Sequence, residues 1–317
     1  MKDLIVSTAQ FQTQSGDKEY NLSRIEALTA RASGEGANVV SFHELSVTSY
    51  TFLKDLSREE LSELAEEIPE GKSTQRLIHL AGSYSTAILT GLVEKEGDRL
   101  YNSYICVTGE GVVAKFRKLH PFINQNLSAG NEYAVFDLHG WKCGILVCYD
   151  NNVIENVRAT VLLGADLIFM PHVTGCTPSS MPGRGWVNRA LWDNRSRDPD
   201  SIRKEFDGPK GRGWLMRWLP ARAYDNGIYV VFSNPIGPDG DQLKNGNSMI
   251  LDPYGEVLAE CTGLGDEVVT TTCTEGKLKL AGGYRYRRAR RPELYGKIIG
   301  KENESLTRVD WMDKKST

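Results

Sequence analysis

From Lys142 to Arg158 the chain reads KCGILVCYDNNVIENVR. Ile145, Leu146 and Val147 make an apolar run of strand character, and Cys148 lies where that run ends. Asp150, Asn151 and Asn152 are good N-cap residues for a following helix, which the pattern places at about Val153 to Leu163. Strand, short turn and helix in succession is the unit of an α/β fold. A thiol at such a junction sits near a helix N-terminus, where the dipole and free N–H groups favour a thiolate and can hold an oxyanion. Cys143, at the start of the same run, reads as a small buried hydrophobe. The local pattern alone leaves Cys148 open between an inert buried residue and a nucleophile.

Working outward, strand-like and helix-like segments alternate. DLIVSTAQF and ANVVSFHEL read as strands. NLSRIEALTARA places Leu22, Ile25 and Leu28 at helical spacing before Gly34. SREELSELAEEI opens with a capping box, Ser57 and Glu60, and carries Leu61, Leu64, Ala65 and Ile68 on one face. TAILTGLVE is a strand, and YNSYICVTGEGVVAKFRK is a strand pair turning at Gly109-Glu110-Gly111. Beyond Cys148 come the strand ADLIFMP, a helix ending near Asp225-Asn226-Gly227, and the strand IYVVFSN. The hairpin NSMILDPYGEVLAEC then turns at Asp252-Pro253-Tyr254-Gly255. Two segments break the rhythm. Residues 176–213 form a long polar insertion rich in Gly, Pro, Arg and Asp, and a loop of that length is either functional or disordered. From Gly282 the tail carries YRYRRARR, read as a solvated arm or subunit contact.

The 317 residues contain 40% hydrophobic and 25% charged residues with a formal charge of −3. That composition suits a soluble protein able to bury a substantial core. The charge offers no case for nucleic acid or an anionic membrane as partner. The opening apolar run is too short for a signal peptide, and no segment approaches the ~18 apolar residues of a membrane span, so a cytoplasmic location is expected. Six cysteines are too few for a disulfide scaffold. No C-x-x-C pair occurs and the five histidines are scattered, so no metal is expected. No Gly-x-Gly-x-x-Gly or Walker sequence follows a strand, which removes the case for a nucleotide binder.

A constellation tips the balance at Cys148. A nucleophilic thiol needs a base and a stabilising cation. VVSFHELSVTSY ends an apolar strand at Glu44, and VAKFRKLHPF ends another at Lys118. Carboxylate, ammonium and thiol thus stand at three strand ends. With FHELSVTSY, FRKLHPF and GILVCYDNNVIENVR in that order, and further matches in LLGADLIFMP, RAYDNGIYVVFSNPIG and GNSMILDPYGEVLAE, the chain resembles the nitrilase superfamily of carbon–nitrogen hydrolases over roughly residues 4 to 295.

The resemblance implies a four-layer α-β-β-α sandwich, assembled as a homodimer or larger homo-oligomer, with no cofactor. It implies a hydrolase domain over 1–281, with the 176–213 insertion near the active site, and a C-terminal arm over 282–317. Carried over residue by residue, Glu44 is the general base, Lys118 the oxyanion-stabilising cation, Cys148 the nucleophile, and the Tyr149 N–H a second oxyanion donor. Two departures stand out. His43 occupies a place where the family commonly has proline. The family's second glutamate, in the loop after the lysine, has no counterpart in place: KLHPFINQNLSAGNEY offers Asn124 and Gln125, and Glu132 lies beyond the expected position.

For substrate, Tyr149-Asp150 after the cysteine resembles the amidase and carbamoylase branches, whereas nitrilases proper tend to have Trp-Glu. Asn151 and Asn152 stand where several carboxylate-recognising members have arginine, so a neutral, polar or amine-bearing amide or N-carbamoyl substrate is expected, with water as second reactant. Helix capping is the competing role for those asparagines. Tyr50, His172 and Thr174 are pocket-lining candidates. The insertion can supply an arginine clamp through Arg184 or Arg189, or an aryl pocket through Trp186, Trp192 and Trp214. Nitrile hydrolysis, acyl transfer, and a catalytically impaired binding or assembly module are the alternatives.

Overall fold

The computed structural model describes residues 2–306. In chain order its strands are β1 (Leu4–Gln10), β2 (Val39–Ser41), β3 (Ala87–Glu96), β4 (Arg99–Thr108), β5 (Gly111–Arg117), β6 (Ala134–Leu138), β7 (Trp141–Ile145), β8 (Leu167–Pro171), β9 (Tyr229–Ser233), β10 (Ile236–Asp239), β11 (Gln242–Asn245), β12 (Met249–Leu251), β13 (Val257–Glu260) and β14 (Glu267–Cys273). The helices are α1 (Lys18–Gly34), α2 (Arg58–Leu64), α3 (Lys72–Tyr84), α4 (Ile154–Leu162), α5 (Arg189–Asp193), α6 (Pro199–Asp207), α7 (Arg212–Leu215), α8 (Leu219–Tyr224), α9 (Glu275–Leu280), α10 (Gly282–Arg288) and α11 (Pro292–Ile299).

Two six-stranded sheets run β14-β1-β2-β3-β4-β5 and β13-β12-β9-β8-β7-β6. The centre of each is parallel, β1-β2-β3 and β7-β8-β9, with antiparallel strands outside. Parallel strands are buried on both faces and read as continuous apolar runs, which is why VVS, LIFMP and YVVFS lack alternation. Leu4, Val6, Leu89 and Tyr104 of the first sheet share one core with Trp141, Ile145, Phe169 and Val231 of the second. A polar seam joins the two sheets: Ser233 Oγ meets Thr8 Oγ1 and Ser41 Oγ, each at 2.8 Å. Leu22, Ile25 and Leu28 of α1 and Leu77 and Leu80 of α3 cover the outer face of the first sheet. Val157 and Val161 of α4 and Leu219 and Ala223 of α8 cover the second. The result is the expected α-β-β-α sandwich.

Local signals behave as their chemistry demands. Asp17 caps α1 by accepting from Tyr20 N–H, and Ser57 and Glu60 close a reciprocal capping box on α2. That helix stops at Leu64, so Ala65 and Ile68 lie outside it. The junction after Cys148 departs from expectation. A 3₁₀ turn over Cys148–Asn151 intervenes, and α4 begins only at Ile154, with Val153 at its N-cap and no side-chain cap. The asparagines are therefore not helix caps. Nor is the 176–213 insertion featureless: it carries α5 and α6 and the start of α7. Cys176, Val187, Trp192, Ile202 and Phe206 form a satellite core there with Ile236 and Leu243 of the β10–β11 hairpin. Of the C-terminal arm, residues 307–317 lie outside the described residues. Among the described residues no helix is long and apolar enough to cross a membrane.

Candidate active site

Three strand ends converge between the sheets. After β2 the chain turns sharply through Glu44 and Leu45, the latter at φ +50°. That turn lies so close to β3 that a Cβ on Gly91 would sit 2.4 Å from Leu45 N, so only glycine fits there. Lys118 follows β5 directly, its N–H donating to the Asn102 carbonyl at 2.9 Å. Cys148 closes the run after β7 at φ +51°, a left-handed conformation that is costly for a residue with a Cβ and is characteristic of functional sites.

The Lys118 ammonium and Asn102 Nδ2 both donate to Glu44 Oε1 at 2.6 Å. The side chains of Lys118 and Glu44 are 1% and 0% exposed. Glu44 Oε2 is buried with no hydrogen-bond partner among the described residues. Burial alone would depress the Lys118 ammonium, but Glu44, then Tyr50, Cys148 and Asp150, hold it well above the ordinary lysine value. Lys118 is therefore a permanent cation, with the Tyr50 ring centroid 5.3 Å from Nζ.

Cys148 retains partial exposure, whereas Cys106, Cys143, Cys176, Cys261 and Cys273 are buried. Its thiol is pushed up to about 12, first by burial and then by the Glu44 charge, with Lys118 and the Val173 N–H pulling the other way. The resting group is thus a thiol. The expected thiolate is overturned because a four-residue 3₁₀ turn has little dipole to set against desolvation beside a carboxylate. Tyr149, second in that turn, has an N–H with no intrahelical acceptor, as at the start of any helix.

Asp150, fully buried, ties the thiol's turn to the lysine's strand end. Its carboxylate accepts from Leu119 N–H at 3.1 Å, His120 N–H at 3.1 Å and His120 Nδ1 at 2.7 Å. Tyr149 packs edge-on against Phe122, ring centroids 4.7 Å apart.

The other sequence candidates divide. Tyr50 borders the site through Lys118. His172 is core: its ring packs between Trp218 and Phe232, its Nε2 lies 3.2 Å from Asn151 Nδ2, and burial holds it neutral. Thr174 is pinned by Asn234, which accepts from its N–H at 2.9 Å. Asn152 is half-buried, and its carbonyl accepts from Arg222 at 3.0 Å. Asn124 donates to the Leu53 and Leu56 carbonyls at 2.7 and 2.9 Å and accepts from Asn126, so its donors are spent on holding a loop. Gln125 and Glu132 are exposed. Asn124, Gln125 and Glu132 are thus not brought into this cluster as a stand-in for the absent carboxylate.

Arg189 is exposed and pairs with Asp193, while Arg184 lies over the Trp214 ring at 3.9 Å. His43 is a neutral filler pushed down to about 3 by burial, its ring 4.7 Å from Phe11. Asn102 was not singled out in the sequence. The signal available was one amide inside the apolar run LYNSYICV, because a buried polar group demands a partner. Among the described residues no group of His, Cys, Asp and Glu has metal-binding geometry.

Comparison with known proteins places these features in a wider set. The carbon–nitrogen hydrolase family model matches residues 5–281. The chain is 31% identical to a nitrilase of Pyrococcus abyssi, over 83% of this chain and 87% of the relative. It is 28% identical to an (R)-stereoselective amidase of a Pseudomonas species, over 80% of each. In structure it resembles an amidase of the nitrilase superfamily from Nesterenkonia AN1, with a TM-score of 0.69 at 22% identity, covering 93% of this chain and 97% of that one. The structural likeness concerns the fold.

Proposed function

Because the chain belongs to the carbon–nitrogen hydrolase family, we propose that it hydrolyses a small amide or N-carbamoyl compound through a thioester on Cys148. Glu44 takes the thiol proton as Sγ attacks the carbonyl carbon, so the weak resting thiol is activated only as substrate arrives. In this reading the Lys118 ammonium and the Tyr149 N–H stabilise the developing oxyanion. Collapse expels the amine or ammonia, which receives the proton from Glu44. Glu44 then removes a proton from water, the hydroxide attacks the thioester, and the acid leaves as the thiol is restored. Asn102 and Asp150 position Glu44 and the two turns.

The observation that carries this reading is the pairing of Glu44 Oε1 with Lys118 at 2.6 Å while Oε2 remains a free acceptor near a strained cysteine. Two neutral amide-lined strand ends would offer neither base nor cation. Nitriles are the second substrate class, favoured by the nitrilase among the relatives. The C-terminal arm serves as a subunit contact in this reading, supported by the exposure of Leu294, Ile298 and Ile299 on α11.

Purified protein incubated with primary amides, N-carbamoyl compounds and nitriles, followed by mass spectrometry, tests the reading. Wild type should consume an amide or carbamoyl compound and Cys148→Ala should not. An acyl adduct on Cys148 should appear when wild-type turnover is quenched with acid, and Glu44→Gln, which lacks the base for both steps, should form far less of it. Consumption that survives Cys148→Ala rejects the mechanism.

A further inference from the structure

Behind the Cys148 turn stands a histidine the chemistry above does not use. His172 follows β8 directly, is fully buried, and anchors its own N–H on the Ser233 carbonyl of β9 at 2.8 Å. Trp218 and Phe232 grip its ring, their centroids 5.4 and 5.0 Å away. Its Nδ1 has no hydrogen-bond partner among the described residues. A buried imidazole with one nitrogen unpaired is a poor core filler, since an apolar side chain of similar size would occupy the space without that loss. What the histidine gains is the contact made by its other nitrogen.

That contact has a single allowed polarity. Asn151, also fully buried, sets its Nδ2 2.8 Å from the Leu146 carbonyl and 3.2 Å from His172 Nε2. A carbonyl oxygen only accepts, so the amide NH2 must face it, and that group has only hydrogens to offer His172 as well. His172 Nε2 therefore carries a lone pair, and the ring proton sits on Nδ1. Burial first, and then the Lys118 charge, keep the ring neutral, as this bond requires. Both amide hydrogens of Asn151 are spent inside the protein, so none remains for a substrate.

These bonds bracket the nucleophile. Leu146 precedes Cys148 and Asn151 follows it, so the bond from Asn151 Nδ2 to the Leu146 carbonyl closes a loop with the cysteine inside. Arg222 holds the Asn151 carbonyl from outside at 2.8 Å. On the other side Val173, the residue after His172, presents the N–H that meets the Cys148 sulfur. Cys148 itself stands at φ +51°, a conformation that persists only where the surroundings over-determine it. We propose that His172 is a positioning residue: its Nε2 locks the Asn151 amide against the Leu146 carbonyl and so holds the left-handed Cys148 in the place from which its sulfur attacks. This rests on the hydrolase reading and adds to it a residue that never touches substrate.

The test compares His172→Ala, His172→Gln, Asn151→Ala and the double variant His172→Ala/Asn151→Ala on the amide that wild type consumes. Circular dichroism shows whether each variant folds. His172→Ala should lower kcat by about 10- to 100-fold with KM changed less than about threefold, the scale of a small misplacement of a reacting group. His172→Gln, whose amide oxygen can accept from Asn151, should recover at least about fivefold of that loss. The double variant should be no slower than the slower single variant, because both act through one hydrogen bond. A kcat within about twofold of wild type in folded His172→Ala, a glutamine variant no better than alanine, or losses that multiply in the double variant overturns the proposal while leaving the hydrolase reading in place. Should wild type consume no amide, NMR of protein carrying 15N-labelled histidine reads the lock separately, with the His172 signal assigned by its loss in His172→Gln. A neutral ring with its proton on Nδ1 sustains the lock, and a proton on Nε2 rejects it.

Discussion

Glu44 and Lys118, 74 residues apart in the chain, form an ion pair of 2.6 Å from which solvent is almost wholly excluded. A buried pair of this kind is weak evidence of stability, since desolvation offsets the attraction, but breaking it is costly because one charge remains unpaired. Its value here is to hold a carboxylate and an ammonium as fixed charges beside a thiol.

The pair predicts an asymmetric double-mutant cycle. Lys118→Met, which strands the Glu44 carboxylate, should destabilise the fold by about 3–5 kcal/mol. Adding Glu44→Gln should recover more than half of that loss, with both variants inactive. Urea unfolding measures the cycle, and additive losses would contradict it. The Lys118 ammonium is held above its ordinary value. Its contribution is therefore full below the unfolded lysine value of about 10.4 and is lost as pH climbs from there towards the folded value.

Cys148 should show alkylation and turnover moving in opposite directions. With the thiol at about 12, its reaction with iodoacetamide should rise about tenfold per pH unit from pH 7 to 10 without a plateau. Glu44→Gln removes the negative charge that raises the thiol, so alkylation at pH 8 should quicken while kcat falls by roughly 10²–10⁴. The five buried cysteines should react only on unfolding. A plateau near pH 8 in wild type would mean a resting thiolate and sink this account.

Asp150 acts by position. Its carboxylate holds Leu119 N–H and both His120 donors. Asp150→Asn keeps the volume but must turn a donor towards one of those N–H groups. A misplacement of even about 1 Å between thiol and ammonium costs on the order of 10²-fold in rate. We expect kcat to fall by about 10- to 100-fold with a smaller change in KM and near-native circular dichroism. A change confined to KM would place Asp150 in substrate binding.

On the outer surface, Leu294, Ile298 and Ile299 are 62%, 68% and 59% exposed. If α11 is a subunit contact, Ile298→Asp should lower the mass measured by light scattering to that of a smaller assembly. An unchanged mass would move the contact elsewhere, with Ile154 and Leu162 of α4 and the adjoining Leu163 the next exposed apolar set.

The sequence by itself determined which segments are strands and where three of them end. Apolar runs, turn residues and caps are encoded within a few positions, so Glu44, Lys118 and Cys148 are legible as strand-end groups. The same local reading misjudged the turn after Cys148. An asparagine's preference for a helix cap yields to tertiary demand: Asn151 Nδ2 donates to Leu146 O at 2.8 Å, and its Oδ1 accepts from no helix N–H among the described residues. It also expected a thiolate, because the dipole of a helix is visible in a pattern while the burial of a sulfur beside a carboxylate 104 residues away is not. Only the tertiary structure decided the partners: Asn102 on Glu44, Asp150 on Leu119 and His120, and Asp239 on Thr51. Each joins residues brought together by sheet order and hairpin docking. Hydrogen bonding and desolvation depend on distances of a few ångström in space, which the spacing of residues along the chain does not specify.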